Sequence, residues 1–184
     1  MKYSKELVVV VVVFLSALCS SISAQNIENG KEYPIPKGNV NQLFFLQRDE
    51  NINTVVYELN KKNGSLDTQN PIHVFWIMYT KQEQQQDLSE MENKFAYGIK
   101  IKQAINEEYQ FTLVAYSKIT LYLKKDAGKR YRVYVTPLKK KMILHKTFIK
   151  VKQGGFSLEP KVEYIDFTGK DILTGKEITE RIIP

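Results

Sequence analysis

The sequence predicts a mainly β domain, an antiparallel barrel or curled β-sandwich of about eight short strands with one short helix. Three observations predict it. Runs rich in Val, Ile, Phe and Tyr recur at regular spacing with Gly, Asn or Asp between them, as in sandwiches and barrels. From Gly98 onward the apolar period is two: Ile99 and Ile101 alternate with Lys100 and Lys102. Only one stretch, 87–98, combines a helix start, an apolar stripe and a stop signal.

At the N-terminus, Lys2 and Lys5 precede an apolar run over 7–18, interrupted only by Ser16, and Ile22-Ser23-Ala24 offers a cleavage site before Gln25. That order of charge, apolar core and small residues is a secretory signal peptide over 1–24. The run is well short of the roughly 20 residues that span a bilayer, so no transmembrane segment is expected in the mature chain. Cys19, the only cysteine, lies inside this leader. A lipid anchor there is the minority alternative, because Leu18 stands where a lipobox wants a small residue. The mature chain then has no disulfide and no thiol chemistry, and its core alone must stabilise it.

Residues 25–40 are polar, with Pro34 and Pro36, and read as a flexible or strand-like lead-in to a single domain over 41–184. Strands are expected at 42–48 and 54–59, with a turn at 49–53. Asn63-Gly64 takes positive φ at little cost and marks a reversal. The run 72–79, opened by Pro71 and containing the only tryptophan, Trp76, reads as a strand buried on both faces at the centre of the core. It should run back beside 54–59.

Asp87 is the expected helix N-cap, with Glu90 completing a capping box, and Gly98 is placed to end the helix. Leu88, Met91 and Phe95 form one stripe, so Phe95 is expected to enter the core. Further strands are expected at 109–116, 118–123, 131–135, 142–151 and 161–167, with a polar tip at 124–129 and a reversal at Gly154-Gly155. The repeats Thr168-Gly169-Lys170 and Thr174-Gly175-Lys176 read as turns in a final hairpin.

The 184 residues are 43% apolar and 26% charged, the composition of an ordinary globular protein. The net charge is +7, and the leader's Lys2, Lys5 and Glu6 account for one unit of it. Spread lysines serve solubility, or they attract an anionic lipid, glycan or nucleic acid; the spread favours solubility. Lys139-Lys140-Lys141 is the one compact basic run. No stacking motif accompanies it, so it reads as a solvated turn and no nucleic-acid partner is expected.

Catalytic signatures are missing. His73 and His145, the only histidines, have no zinc-ligand spacing, and His73 reads as a structural histidine. The Thr-Gly-Lys repeats lack the glycine and strand that precede a phosphate loop. Asp49-Glu50 and the helical Glu90 and Glu92 read as solvated or capping groups rather than a hydrolytic pair. No metal or cofactor is implied. The alternation of aromatic with aliphatic residues suits instead a cavity for a small apolar or amphiphilic ligand. Its expected lining is Trp76, Phe95, Phe111, Leu113, Tyr131 and Val133.

The segments QLFFLQR (42–48), NTVVY (53–57), NPIHVFW (70–76) and ENKFAYG (92–98), taken in order, resemble a group of exported bacterial proteins. This is the family called domain of unknown function 4833, common among Bacteroidota. The resemblance runs from about Asn39 to the C-terminus. It implies a small exported domain without an assigned activity, and no family catalytic residues carry over. The reading is an exported, envelope-associated binding module, periplasmic or extracellular. A hydrolase of an envelope polymer, signalled by His145 with an acidic partner in a cleft, and a purely structural interaction protein are the alternatives. Intact-mass measurement of the exported protein should find Gln25 at the N-terminus, and lipid mass on Cys19 would overturn that.

Overall fold

The computed structural model describes residues 25–28, 31–152 and 162–184. The expected leader and the Gly154-Gly155 reversal lie outside them. β1 (Gln25–Glu28) and β2 (Lys31–Pro34) form an antiparallel hairpin.

β3 (Gln42–Arg48), β4 (Asn51–Leu59), β7 (Ile72–Met78) and β8 (Gln84–Asp87) then make an antiparallel meander. Between β4 and β7 a small hairpin, β5 (Lys61–Lys62) and β6 (Ser65–Leu66), turns at Asn63 and Gly64 with φ of 54° and 79°. This is the left-handed geometry that the Asn-Gly pair supplies.

A second antiparallel meander follows: β9 (Ile99–Ile105), β10 (Glu108–Leu113), β11 (Tyr116–Lys125) and β12 (Tyr131–Val135). β13 (Met142–Val151) joins the two, and β14 (Val162–Asp171) and β15 (Glu177–Ile182) complete an 11-stranded sheet. Of the two Thr-Gly-Lys repeats, Thr168–Lys170 lies within β14, and only Thr174–Lys176 forms the turn, with Gly175 at φ 70°.

The domain is mainly β with one short helix, but two fold expectations need correction. The main sheet has 11 strands rather than about eight, and it is mixed. β13 runs antiparallel to β12 at Met142 and Ile143, then parallel to β3 over Lys146–Ile149, while β14 pairs along its other edge. Two strands share one edge of β13, so the sheet forks there and curls into a half-barrel. The apolar run 72–79 suggested β7 as the centre, yet β7 lies one strand from the edge and β13 holds the centre. The run is apolar for another reason: Trp76 enters the main core, and Phe75 packs on the opposite face with Phe45 and Val56.

The inner faces of both meanders meet in one core. Phe44 stacks on Tyr57 with centroids 4.2 Å apart, and Phe111, Leu121, Leu123 and Val133 face them from the second meander. The outermost strands β8 and β9 are joined by the helix α1 (Glu90–Phe95). Beside it the Tyr57 hydroxyl donates to the Tyr97 carbonyl at 2.7 Å, and the Val114 amide donates to the Gly98 carbonyl at 3.0 Å. A Cβ on Gly98 would lie 1.9 Å from the Asn93 carbonyl oxygen, so only glycine fits this crossing.

The helix corrects two more expectations. Its N-cap is Ser89, not Asp87: the Glu92 amide donates to the Ser89 hydroxyl, and the Ser89 amide donates to the Glu92 carboxylate. Asp87 is used as the last residue of β8, opposite Phe75, with its carboxylate 3.0 Å from His73 Nε2. Met91 and Phe95 are 68% and 60% exposed, and only Leu88 of the stripe packs against the core. A helix of 6 residues cannot sustain a stripe two turns long. Ser89→Ala should cost about 1 kcal/mol, lowering the melting temperature by about 2–4 °C. Phe95→Ala should stay within about 0.5 kcal/mol of wild type. A larger loss at Phe95 in thermal melts would show that the side chain is packed.

Candidate functional site

Along the outer face of β11–β14, side chains from different strands fall into rows across the sheet. Tyr134 pairs with Ile143, Ile143 with Lys170, and Lys124 lies directly opposite Arg132. Like charges placed opposite each other oppose sheet formation. These rows line an open cleft of about 720 Å³, with Lys124, Lys125, Arg130, Arg132, Lys141 and Lys170 around Tyr134, Ile143 and His145.

Tyr134 organises the cations. Lys124 Nζ lies 5.1 Å and Lys141 Nζ 5.9 Å from the centroid of its ring. Two ammonium groups drawn to one ring form a concentrated positive site, with the ring's quadrupole offsetting part of their repulsion. Burial, then the nearby Asp126 charge, pushes the Tyr134 hydroxyl pKa up, and Arg132 pulls it back in part, so the ring stays neutral.

Two carboxylates share the cleft, and both are committed. Asp126 accepts the Arg130 amide at 3.0 Å and approaches Arg132 Nε at 3.4 Å. The Arg130 amide is the largest influence holding its pKa low. Asp171 accepts the Leu173 and Thr174 amides at 2.7 and 3.0 Å, and these bonds hold its carboxyl below the usual range. Lys124, Lys141 and Lys170 make no hydrogen bond or ion pair among the described residues. The cleft therefore carries an unbalanced positive charge.

His145 enters the cleft through a fault in the sheet. The register of β13 on β14 shifts between Leu144 and Lys146, which pair with Gly169 and Thr168. The extra residue in the β13 strand is His145, and it lies where β13 changes partner from β12 to β3. Bulges re-aim a side chain in this way. Gly169 permits the close approach, since a Cβ there would lie 2.2 Å from the Ile143 carbonyl oxygen. Desolvation pushes the imidazole pKa down; Glu177 opposes that, and Arg132 and Lys170 reinforce it.

The residues expected to line a ligand cavity lie in three places. Trp76, Phe111, Leu113 and Val133 are buried together in the main core. Phe95 lies on the exposed helix surface. Tyr131 is half-buried, donates to Glu107 at 2.7 Å and borders a smaller groove with Arg130 and Arg132. His73 sits between Glu58 and Asp87, at 3.5 and 3.0 Å, clasping three neighbouring strands. No group of three His, Cys, Asp or Glu able to hold a metal occurs among the described residues. The basic cleft was missed because its residues come from four strands. The one signal was Lys124 and Arg132, close to one polar hairpin tip.

Residues 44–181 match the family described as Domain of unknown function (DUF4833), and the chain belongs to that family. The match begins in β3 and ends in β15, so it covers the forked sheet and leaves out the N-terminal hairpin. Neither the curated proteins nor the solved structures give a match to the chain.

The His145 imidazole should titrate below its ordinary value of 6.5. The unfolded chain then binds the proton more readily, so this group's contribution to stability falls as pH drops through the ordinary histidine range toward the folded pKa. Glu177→Gln should lower the midpoint further, because Glu177 favours the charged ring. An NMR titration with a midpoint at or above the ordinary value would contradict the lowered pKa.

Proposed function

We propose that this DUF4833 domain is an exported, envelope-associated binding module that holds a phosphate-bearing ligand in the cleft around Tyr134. The observation that carries the reading is the pair Lys124 and Lys141 over one aromatic ring, with Lys170 and Arg132 beside it. The ring offsets only part of the repulsion between these charges, whereas an anion bound between them removes it. Lysine ammonium groups bind phosphate as point charges and adapt to its orientation. Export rests on the charged and apolar order of residues 1–24.

In this reading an amphiphilic ligand places its anionic head among the lysines. Trp76, Phe111, Leu113 and Val133 then support the binding strands from within rather than touching the ligand. No catalytic step is needed, and Asp126 and Asp171 are engaged with backbone amides.

Inorganic pyrophosphate is a simple probe. Calorimetric titration should show binding that weakens as salt rises. Lys124→Glu with Lys141→Glu should weaken it at least about tenfold, since two favourable charges of roughly 1 kcal/mol each are reversed. His145 should shift toward its charged form on binding. Absence of binding at low salt, or equal binding by the double variant, would overturn the assignment.

A further inference from the structure

At one end of the forked sheet two turns lie side by side: residues 136–141 between β12 and β13, and residues 172–176 between β14 and β15. The Ile172 amide donates to the Lys141 carbonyl at 3.1 Å, joining them. Each turn is built around a carboxylate that accepts backbone amides. Glu180 takes those of Leu138, Lys139 and Lys140 at 2.9, 3.3 and 3.1 Å. Asp171 takes those of Leu173 and Thr174.

These frameworks hold apolar side chains out in solvent. Leu138 is 60% exposed, Ile172 44% and Leu173 90%. Around them stand Lys139, Lys140, Lys141, Lys170 and Lys176, all exposed and without an ion pair among the described residues. Glu177, opposite Lys170 across the hairpin, is an exposed acid at this end. The two other carboxylates are engaged with amides.

Leucines held on rigid turns and ringed by lysines match the chemistry of one partner. A lipid surface offers an apolar layer for the leucines and phosphates for the lysines at the same depth. A soluble polyanion would use the lysines and leave the leucines in water. We propose that the two turns dock the domain on an anionic lipid surface, with Leu138 and Leu173 entering the headgroup layer and the flanking lysines meeting lipid phosphates. Docked this way, the adjoining basic cleft, which shares Lys141 and Ile172 with the turns and includes Lys170 beside them, opens beside the membrane. The docking stands independently of what the cleft binds.

The test uses protein beginning at Gln25, which keeps every residue of the core. Vesicles of phosphatidylcholine with phosphatidylglycerol should sediment it, and phosphatidylcholine alone should not. Leu138→Asp with Leu173→Asp keeps every lysine, and both sites are exposed, so the melting temperature should hold. The bound fraction should nevertheless fall about tenfold, because both inserting side chains are lost. Lys124→Glu should weaken pyrophosphate binding yet leave vesicle binding within about twofold, which separates the two sites. No sedimentation with phosphatidylglycerol vesicles, or equal sedimentation by the leucine variant, would overturn the proposal. Equal sedimentation with phosphatidylcholine alone would overturn its electrostatic half.

Discussion

The fold depends on the sharing of one edge of β13 by two strands. β14 occupies the other edge over Met142–Val151, so β12 and β3 must divide what remains. Two strands cannot occupy one line, and the sheet resolves the conflict by forking. Each branch then carries its own antiparallel meander, and the curl of the sheet brings their inner faces together around Phe44, Tyr57, Phe111 and Leu123. The core exists because the fork folds the sheet back on itself. α1 and the Tyr57–Tyr97 bond close the opposite side, where β8 and β9 would otherwise be left apart.

The same fork shapes the candidate site. At the change of partner β13 needs an extra residue, and His145 is that residue, displaced toward the outer face. Tyr134 and Ile143 lie next to the fork, and the cations of β11, β12 and β14 gather around them. The architecture that builds the core on one side therefore creates the charged concavity on the other. The packed core and the candidate site are separated by the thickness of one sheet.

What could be read in the sequence follows the range of each signal. Strands 42–48, 131–135 and 142–151 stand where the local patterns put them, and the Asn63-Gly64 turn follows directly from its backbone preference. The capping box was written in the sequence as Ser89 and Glu92, but Asp87 with Glu90 matched the same spacing two residues earlier. Strand pairing of Asp87 with Phe75 decided between them. The parallel junction of β3 with β13 had no local signature, because it joins residues about a hundred apart. Without that junction the order of strands, the central position of β13 and the cleft were all beyond reach. Trp76, Phe111, Leu113 and Val133 were recognised as an apolar set, and alternation alone could not distinguish a packed interior from a lined cavity.

The Asp49–Val151 hydrogen bond, which closes 102 residues at the end of the parallel junction, also sets a timetable for folding. The first meander is built from local contacts, whereas its β13 partner is brought in from about a hundred residues away. Local hairpins form faster than so long-range a closure, so the free edge of β3 stands open until β13 docks. During that interval an apolar edge with unpaired amides is open to any neighbouring chain. Its late completion concentrates the aggregation risk in the incompletely folded protein and makes the last third of the chain the guardian of the first.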